Sequence, residues 1–131
     1  MNTAQNHVWF VVDDAFEETD RPGFRRRVIH GDGMTMWFWR IAGGSQGSYL
    51  HQHPDHEQFG VVVRGGLDFR IGDGEEPAER TVLGPGDVYL ARRGVWHGDS
   101  VFVGDDELGE CWIVDVFCPP RHDNPEEVSR G

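Results

Sequence analysis

The chain has 131 residues and a mass of 14.8 kDa, which suits one compact domain that buries roughly two thirds of its unfolded surface. Twenty-three acidic residues oppose twelve basic ones, all arginine, and the net charge of −11 argues against a nucleic-acid partner. We therefore expect a small-molecule partner. The sequence has no basic leader and no run near the ~18 apolar residues of a membrane span. We predict a soluble, cytoplasmic protein without membrane association.

Short runs rich in β-branched and aromatic residues alternate with glycine turns along the middle of the chain. This spacing predicts an all-β sandwich or barrel, since no run has the 3.6-residue periodicity of an amphipathic helix. We find no internal repeat and predict a single domain over 1–131, with its core at 8–121 and a mobile polar tail at 122–131. In chain order the predicted strands are MTMWFWRIA, QFGVVVRG, LDFRIG, DVYLA and CWIVDVF.

The first predicted strand carries Trp37 and Trp39 two residues apart, so both indoles project from one face. Two interpretations of that face stay open. The tryptophans either fill the core of one subunit or contribute to a contact with a second subunit.

The segment HQHPDHEQFG contains three histidines close to Glu57 and Gln58. His51 and His53 lie two apart, so on an extended strand both side chains project from one face and can bind one metal ion. Glu57 and Gln58 are neighbours that point to opposite faces, so only one of them can be a ligand. We predict that His56 is an exposed loop residue and not a ligand.

A second cluster, GPGDVYLARRGVWHGDS, places His97 just after a turn glycine. The two segments together resemble the cupin family, whose motifs run G-x5-H-x-H-x(3,4)-E-x6-G and G-x5-P-x-G-x2-H-x3-N. The resemblance covers 34–121 and implies a double-stranded β-helix, or jelly roll, in which histidines bind one divalent metal ion. His51 and His53 match the first motif, and Gly86, Gly94 and His97 match the second.

The same resemblance favours Gln58 over Glu57 as the fourth ligand. Six residues separate Gln58 from the turn glycine Gly65, as the first motif requires, whereas Glu57 fits only the upstream spacing. Arg92 replaces the proline of the second motif and Val101 its asparagine. Neither position is a ligand in the family pattern, so these departures leave the predicted fold intact and weaken the transfer of any one member's substrate.

The implied ligand set, three imidazoles and one amide, carries no charge. A bound divalent ion would keep its full charge and be a stronger Lewis acid than one with a glutamate ligand, which favours non-redox chemistry. Zinc, nickel, iron, cobalt and manganese all suit such ligands. Structural zinc sites are usually closed and rich in cysteine, so we expect an open position for a substrate.

The last predicted strand has two apolar faces. A strand covered on both faces in so small a protein indicates a second subunit, so we predict a homodimer. Cys111 and Cys118 would lie about 23 Å apart on this strand, too far for a disulfide, in agreement with a reducing compartment. Alternation places Cys111, Ile113, Asp115 and Phe117 on one face and Trp112, Val114 and Val116 on the other.

The segment VDVFCPPR brings a carboxylate and a guanidinium toward the predicted site. A buried acid is costly unless it is used or paired, so Asp115 is either the general acid or base or a structural partner of Arg121. Arg121 follows a Pro-Pro corner and can bind a substrate carboxylate through two hydrogen bonds. Together with HPDHEQ, this segment resembles small cupins that linearise 4,5-unsaturated uronates in pectin degradation, a likeness that implies that Asp115, Phe117 and Arg121 lie beside the metal.

The predicted function is metal-dependent lyase or isomerase chemistry on a small anionic oxygenated acid, such as an unsaturated uronate. The alternatives are an iron-dependent dioxygenase, a polyketide cyclase-like enzyme and a ligand-binding cupin without turnover. The predicted site comprises catalytic Asp115 and Arg121, substrate-binding Phe117 and Arg121, and the metal ligands His51, His53, Gln58 and His97.

Overall fold

A computed structural model describes residues 7–9, 11–13, 16–47, 49–77, 79–121 and 128–129. These residues form eleven β-strands and no helix, which confirms the predicted all-β class. The described ranges therefore contain no helix that could cross a membrane. The strands are β1 (Glu17–Glu18), β2 (Phe24–His30), β3 (Thr35–Ala42), β4 (His51–Gln52), β5 (Glu57–Arg64), β6 (Gly66–Gly72), β7 (Arg80–Leu83), β8 (Val88–Ala91), β9 (Trp96–Val103), β10 (Glu110–Cys118) and β11 (Val128–Ser129).

The strands form two antiparallel sheets. The six-stranded sheet has the order β1-β2-β3-β10-β5-β8, and the five-stranded sheet has the order β11-β4-β9-β6-β7. Most neighbouring strands are distant in sequence, because the chain crosses repeatedly from one sheet to the other. This arrangement confirms the predicted double-stranded β-helix, or jelly roll.

β10 lies in the middle of the six-stranded sheet, between β3 and β5. Both cysteines at its ends are free, as predicted; the buried Cys111 thiol donates to the Gly66 carbonyl at 3.2 Å, and Cys118 is exposed. Its two faces differ in environment as the alternation predicts. The buried residues are Cys111, Ile113, Asp115 and Phe117, and the half-buried residues of the outer face are Trp112, Val114 and Val116.

The apolar core lies between the sheets, and Trp37 and Trp39 face it. Trp37 is only 6% exposed, and Trp39 packs against the core. The two indoles meet edge to face at 5.8 Å between ring centroids. The interpretation in which they contribute to a subunit contact is therefore wrong. The buried core cluster comprises Phe24, Ile41, Val62, Leu67, Phe69, Phe102, Cys111 and Ile113.

The predicted mobile tail, 122–131, falls mostly outside the described residues. Within it, Val128–Ser129 forms β11, which pairs with β4, so that Ser129 lies opposite His51. This pairing places a strand from the end of the chain beside the histidine segment.

Candidate metal centre

Three histidines from two neighbouring strands converge at one end of the jelly roll. His51 lies in β4 and His53 directly after it, while His97 in β9 is the cross-strand partner of His51. One ligand atom from each of the three lies within 4.8 Å of the other two. The structure thus brings His51, His53 and His97 together, and this cluster can hold a metal ion.

Hydrogen bonds to main-chain carbonyls orient two of the three imidazoles. Nδ1–H of His51 donates to the carbonyl of Tyr49 at 2.7 Å, and Nδ1–H of His97 donates to the carbonyl of Val95 at 2.9 Å. Each Nε2 then keeps a lone pair for a metal, as in metal-binding histidines generally. Burial lowers the pKa of His53 to about 2 and that of His97 to about 3, so both rings are neutral at pH 7.

Gln58 approaches the histidines from the opposite sheet. It is buried, whereas its neighbour Glu57 is half-buried on the other face of β5, so the inward side chain is the glutamine. Gln58 Oε1 lies 3.3 Å from His97 Nε2. Because the proton of His97 is on Nδ1, these are two acceptors facing each other, which is unfavourable unless a cation lies between them. The donor set therefore fits a metal ion.

The environment of His56 differs from the predicted one. It is 4% exposed, so the prediction of an exposed loop residue is wrong. Its ring stacks on His53 with centroids 4.5 Å apart and lies edge to face with Phe117 at 5.2 Å. Among the described residues, the converging ligand atoms belong to the other three histidines and not to His56.

Asp115 lies on the wall of a cavity of about 220 Å³ that also reaches Gln58 and His97. It is 8% exposed, and its Oδ1 accepts a hydrogen bond from the Tyr89 hydroxyl at 3.0 Å. Burial raises the pKa of Asp115 to about 6, although hydrogen bonds from Gln58 and Tyr89 partly oppose that shift. The cavity thus brings a carboxylate next to the candidate metal ligands.

Arg121 and Phe117 line the same cavity. The Arg121 guanidinium carbon lies 4.4 Å from the ring centroid of Trp37 and 4.8 Å from that of Phe117. The main-chain N–H of Arg121 donates to Thr35 Oγ1 at 3.1 Å, which holds the end of the Pro-Pro corner. The positive charge of Arg121 also lowers the pKa of Asp115, but less than the hydrogen bonds from Gln58 and Tyr89 do.

Two residues of the site escaped the sequence analysis. Tyr89 in β8 donates to Asp115 and accepts a hydrogen bond from Gln58 Nε2 at 2.8 Å. Gly98 has a φ of 129°, and a Cβ there would lie 3.1 Å from His51 Nδ1 and would collide with the carbonyl of Tyr49. The alternation of DVYLA shows that Tyr89 shares a face with Ala91, but the facing strand is not readable from the sequence.

The sequence matches the cupin domain family over 37–108, more than half of the chain. The chain belongs to the cupin family. KdgF from Halomonas sp. is a structural neighbour with 26% identity and a TM-score of 0.71, covering 88% of this chain and 97% of KdgF. No curated protein matches the sequence.

Other solved structures support the fold alone, since their identity is lower. An RmlC-like cupin from Shewanella frigidimarina is 24% identical with a TM-score of 0.68, and covers 89% of this chain and 96% of its own. A protein with a double-stranded beta-helix domain from Klebsiella pneumoniae is 21% identical with a TM-score of 0.70. The alignment covers 98% of this chain and 95% of the Klebsiella chain. This cupin thus combines the family fold with a histidine cluster that can bind a metal.

Proposed function

We propose that this cupin is a metal-dependent enzyme that catalyses non-redox lyase or isomerase chemistry on a small anionic acid, with a 4,5-unsaturated uronate as the first candidate. The observation that carries the proposal is the cavity in which Asp115 and Arg121 adjoin His97 and Gln58. A proton-transfer group and an anion-binding group then face one open site.

The ligands would be His51, His53, Gln58 and His97. All four are neutral, so a bound divalent ion would act as a Lewis acid that polarises a substrate carbonyl or hydroxyl oxygen. Nitrogen and amide oxygen ligands suit zinc, nickel, iron, cobalt or manganese.

Ring opening of an unsaturated uronate matches these groups. The anomeric hydroxyl loses a proton, the bond between C1 and the ring oxygen breaks, and C4 gains a proton as C5 becomes a ketone, so no atom is gained or lost. In this proposal Asp115 moves that proton, and Arg121 binds the carboxylate through two hydrogen bonds. Phe117 lines the same cavity. The resemblance to small cupins that linearise unsaturated uronates supports this substrate class.

The substrate assignment predicts that metal-loaded protein removes the ultraviolet absorbance of the conjugated double bond in a 4,5-unsaturated uronate. A saturated uronate is the matched control and should not react. Arg121→Gln should raise KM about 10-fold or more with a smaller effect on kcat, because it removes a charged carboxylate contact. No reaction of the unsaturated uronate with any of the five metals would contradict this substrate class.

A polyketide cyclase-like activity is the second candidate, because the cavity is rich in aromatic side chains. These rings would suit an aromatic or extended apolar acid better than a sugar acid. Tighter binding of an aromatic keto acid than of a uronate would favour this alternative. The aromatic residues that line the cavity are Phe24, Trp37, Trp39, Phe69, Tyr89, Phe102 and Phe117.

The outer face of the six-stranded sheet supports the proposed homodimer. Cross-strand partners align there into two apolar rows that run over β3, β10, β5 and β8. Phe59 is 50% and Val88 56% exposed, so water contacts these rows in the single chain. A second copy of the chain would cover these rows. Separately, the two free cysteines agree with the proposed reducing, cytoplasmic compartment. The rows are Ile29, Met36, Val116, Phe59 and Leu90, and Phe38, Val114, Val61 and Val88.

The proposed interface predicts that Val114→Asp or Phe59→Asp converts the dimer to a monomer, because each buries an unpaired charge between the subunits. Sedimentation at micromolar concentration measures the change. Val82→Asp is the matched control, since Val82 is 67% exposed on β7 of the other sheet. A wild-type monomer, or equal dissociation by the control, would contradict the interface.

A further inference from the structure

The amide of Gln58 has two different ends, and only its oxygen can bind a metal. In the structure Nε2 of Gln58 donates to the Tyr89 hydroxyl at 2.8 Å, and that hydroxyl donates to Asp115 Oδ1 at 3.0 Å. A hydroxyl that gives its single proton to a carboxylate can only accept from the amide. The nitrogen end of Gln58, which also donates to Asp115, is therefore held against Tyr89, and Oε1 is left facing His97.

The sheet is built to let Tyr89 reach this position. Gly60 in β5 is the cross-strand partner of both Tyr89 in β8 and Asp115 in β10. A Cβ on Gly60 would overlap the Tyr89 ring and lie 2.7 Å from its hydroxyl oxygen. The missing side chain at position 60 opens the path by which the phenol crosses β5. Tyr89 is further supported by Phe69, whose ring centroid lies 5.0 Å away.

We infer that Tyr89 is a positioning residue of the metal centre, which sets the orientation of the Gln58 amide so that its oxygen faces the metal, and that Gly60 supplies the space it needs. The inference rests on the proposed metal centre. It adds a role for two residues that lie outside the ligand set. A hydrogen-bond partner that orients a metal ligand typically contributes 10- to 100-fold in metal affinity.

Zinc titration of the metal-stripped full chain against a competing chelator tests this role. Tyr89→Phe should weaken zinc binding about 10-fold or more, since the Nε2 end of the amide loses one of its two acceptors and its oxygen is aimed less firmly at the metal. The visible spectrum of the cobalt-loaded variant should shift as well, because the position of a ligand changes. The ring itself is kept, so the metal-free variant should still fold and unfold in one cooperative transition, with a melting temperature lowered only by the loss of the two hydrogen bonds of the hydroxyl.

Three further variants separate orientation from packing. Gly60→Ala should reproduce the loss of zinc affinity. Gly66→Ala is the control, since a Cβ at position 66 would lie 3.4 Å from its nearest neighbours and fits without displacing them. In a Gln58→Glu background either end of the side chain offers oxygen, so Tyr89→Phe should cost about threefold or less. The role of Tyr89 would be overturned if Tyr89→Phe had the zinc affinity of the wild type, or if it lowered zinc affinity equally in the wild-type and Gln58→Glu proteins. Either result would leave the proposed metal centre standing. A wild-type chain that binds no metal would overturn this inference and the proposed metal centre together.

Discussion

Replacing Asp115 with asparagine should lower the turnover of an unsaturated uronate about 100-fold or more while the bound metal stays unchanged. Asparagine keeps the shape of the side chain and an oxygen that can accept from Tyr89, whose hydroxyl lies 3.0 Å from the carboxylate. It removes the group that can take up and release a proton. Steady-state kinetics and metal content per chain, measured on the same preparation, check both parts of this result.

A purely structural Asp115 would give the opposite pattern. If the carboxylate served only to balance the nearby charge of Arg121, its loss would lower the free energy of unfolding by about 3 kcal/mol or more and leave activity in the folded fraction. Asp68→Asn is the matched control, because Asp68 accepts from Arg80 at 2.9 Å outside the cavity. A destabilised but active Asp115→Asn protein would rule out the proton-transfer role.

His97→Ala should remove most of the bound metal, and His51→Ala should do the same. Each substitution deletes one of only four proposed protein ligands, and each removed imidazole is oriented by a main-chain carbonyl within 2.9 Å. Metal content per chain after dialysis measures the loss. Chelator treatment of the wild type should lower the melting temperature, because the ion binds the folded state.

His56→Ala is the control for this loss. His56 is as buried as His97 and stacks on His53, so its removal perturbs packing beside the centre without deleting a converging ligand atom. Metal content should stay near that of the wild type, although stability falls. Metal loss from His56→Ala equal to that from His97→Ala would contradict the ligand assignment, and a melting temperature indifferent to chelator would contradict an occupied centre.

The spacing of residues along the chain was enough to predict the features that depend only on sequence neighbours, namely the strand faces, the turn at Gly65 and the histidine motifs. The alternation of β10 separated its buried face from its outer face because successive side chains of a strand point to opposite sides. The same rule allowed only one of Glu57 and Gln58 to face the cavity. Gly65 was identified as a turn, and its φ of 74° requires a residue without a Cβ. The paired histidine motifs then predicted the family and the shared site.

Only the tertiary structure decided which distant strands lie side by side. Tyr89 reaches Asp115 because β8, β5 and β10 are adjacent and Gly60 lies between them, a register that no local pattern contains. His56 is buried because the ring of Phe117, far along the chain, lies beside it. Trp37 and Trp39 face the cavity because the second sheet covers that side of β3. Strand alternation is a local property, whereas strand pairing depends on contacts between residues that are far apart in sequence. The sequence alone therefore predicted the proposed ligands, and the fold was needed to find the residues proposed to orient them.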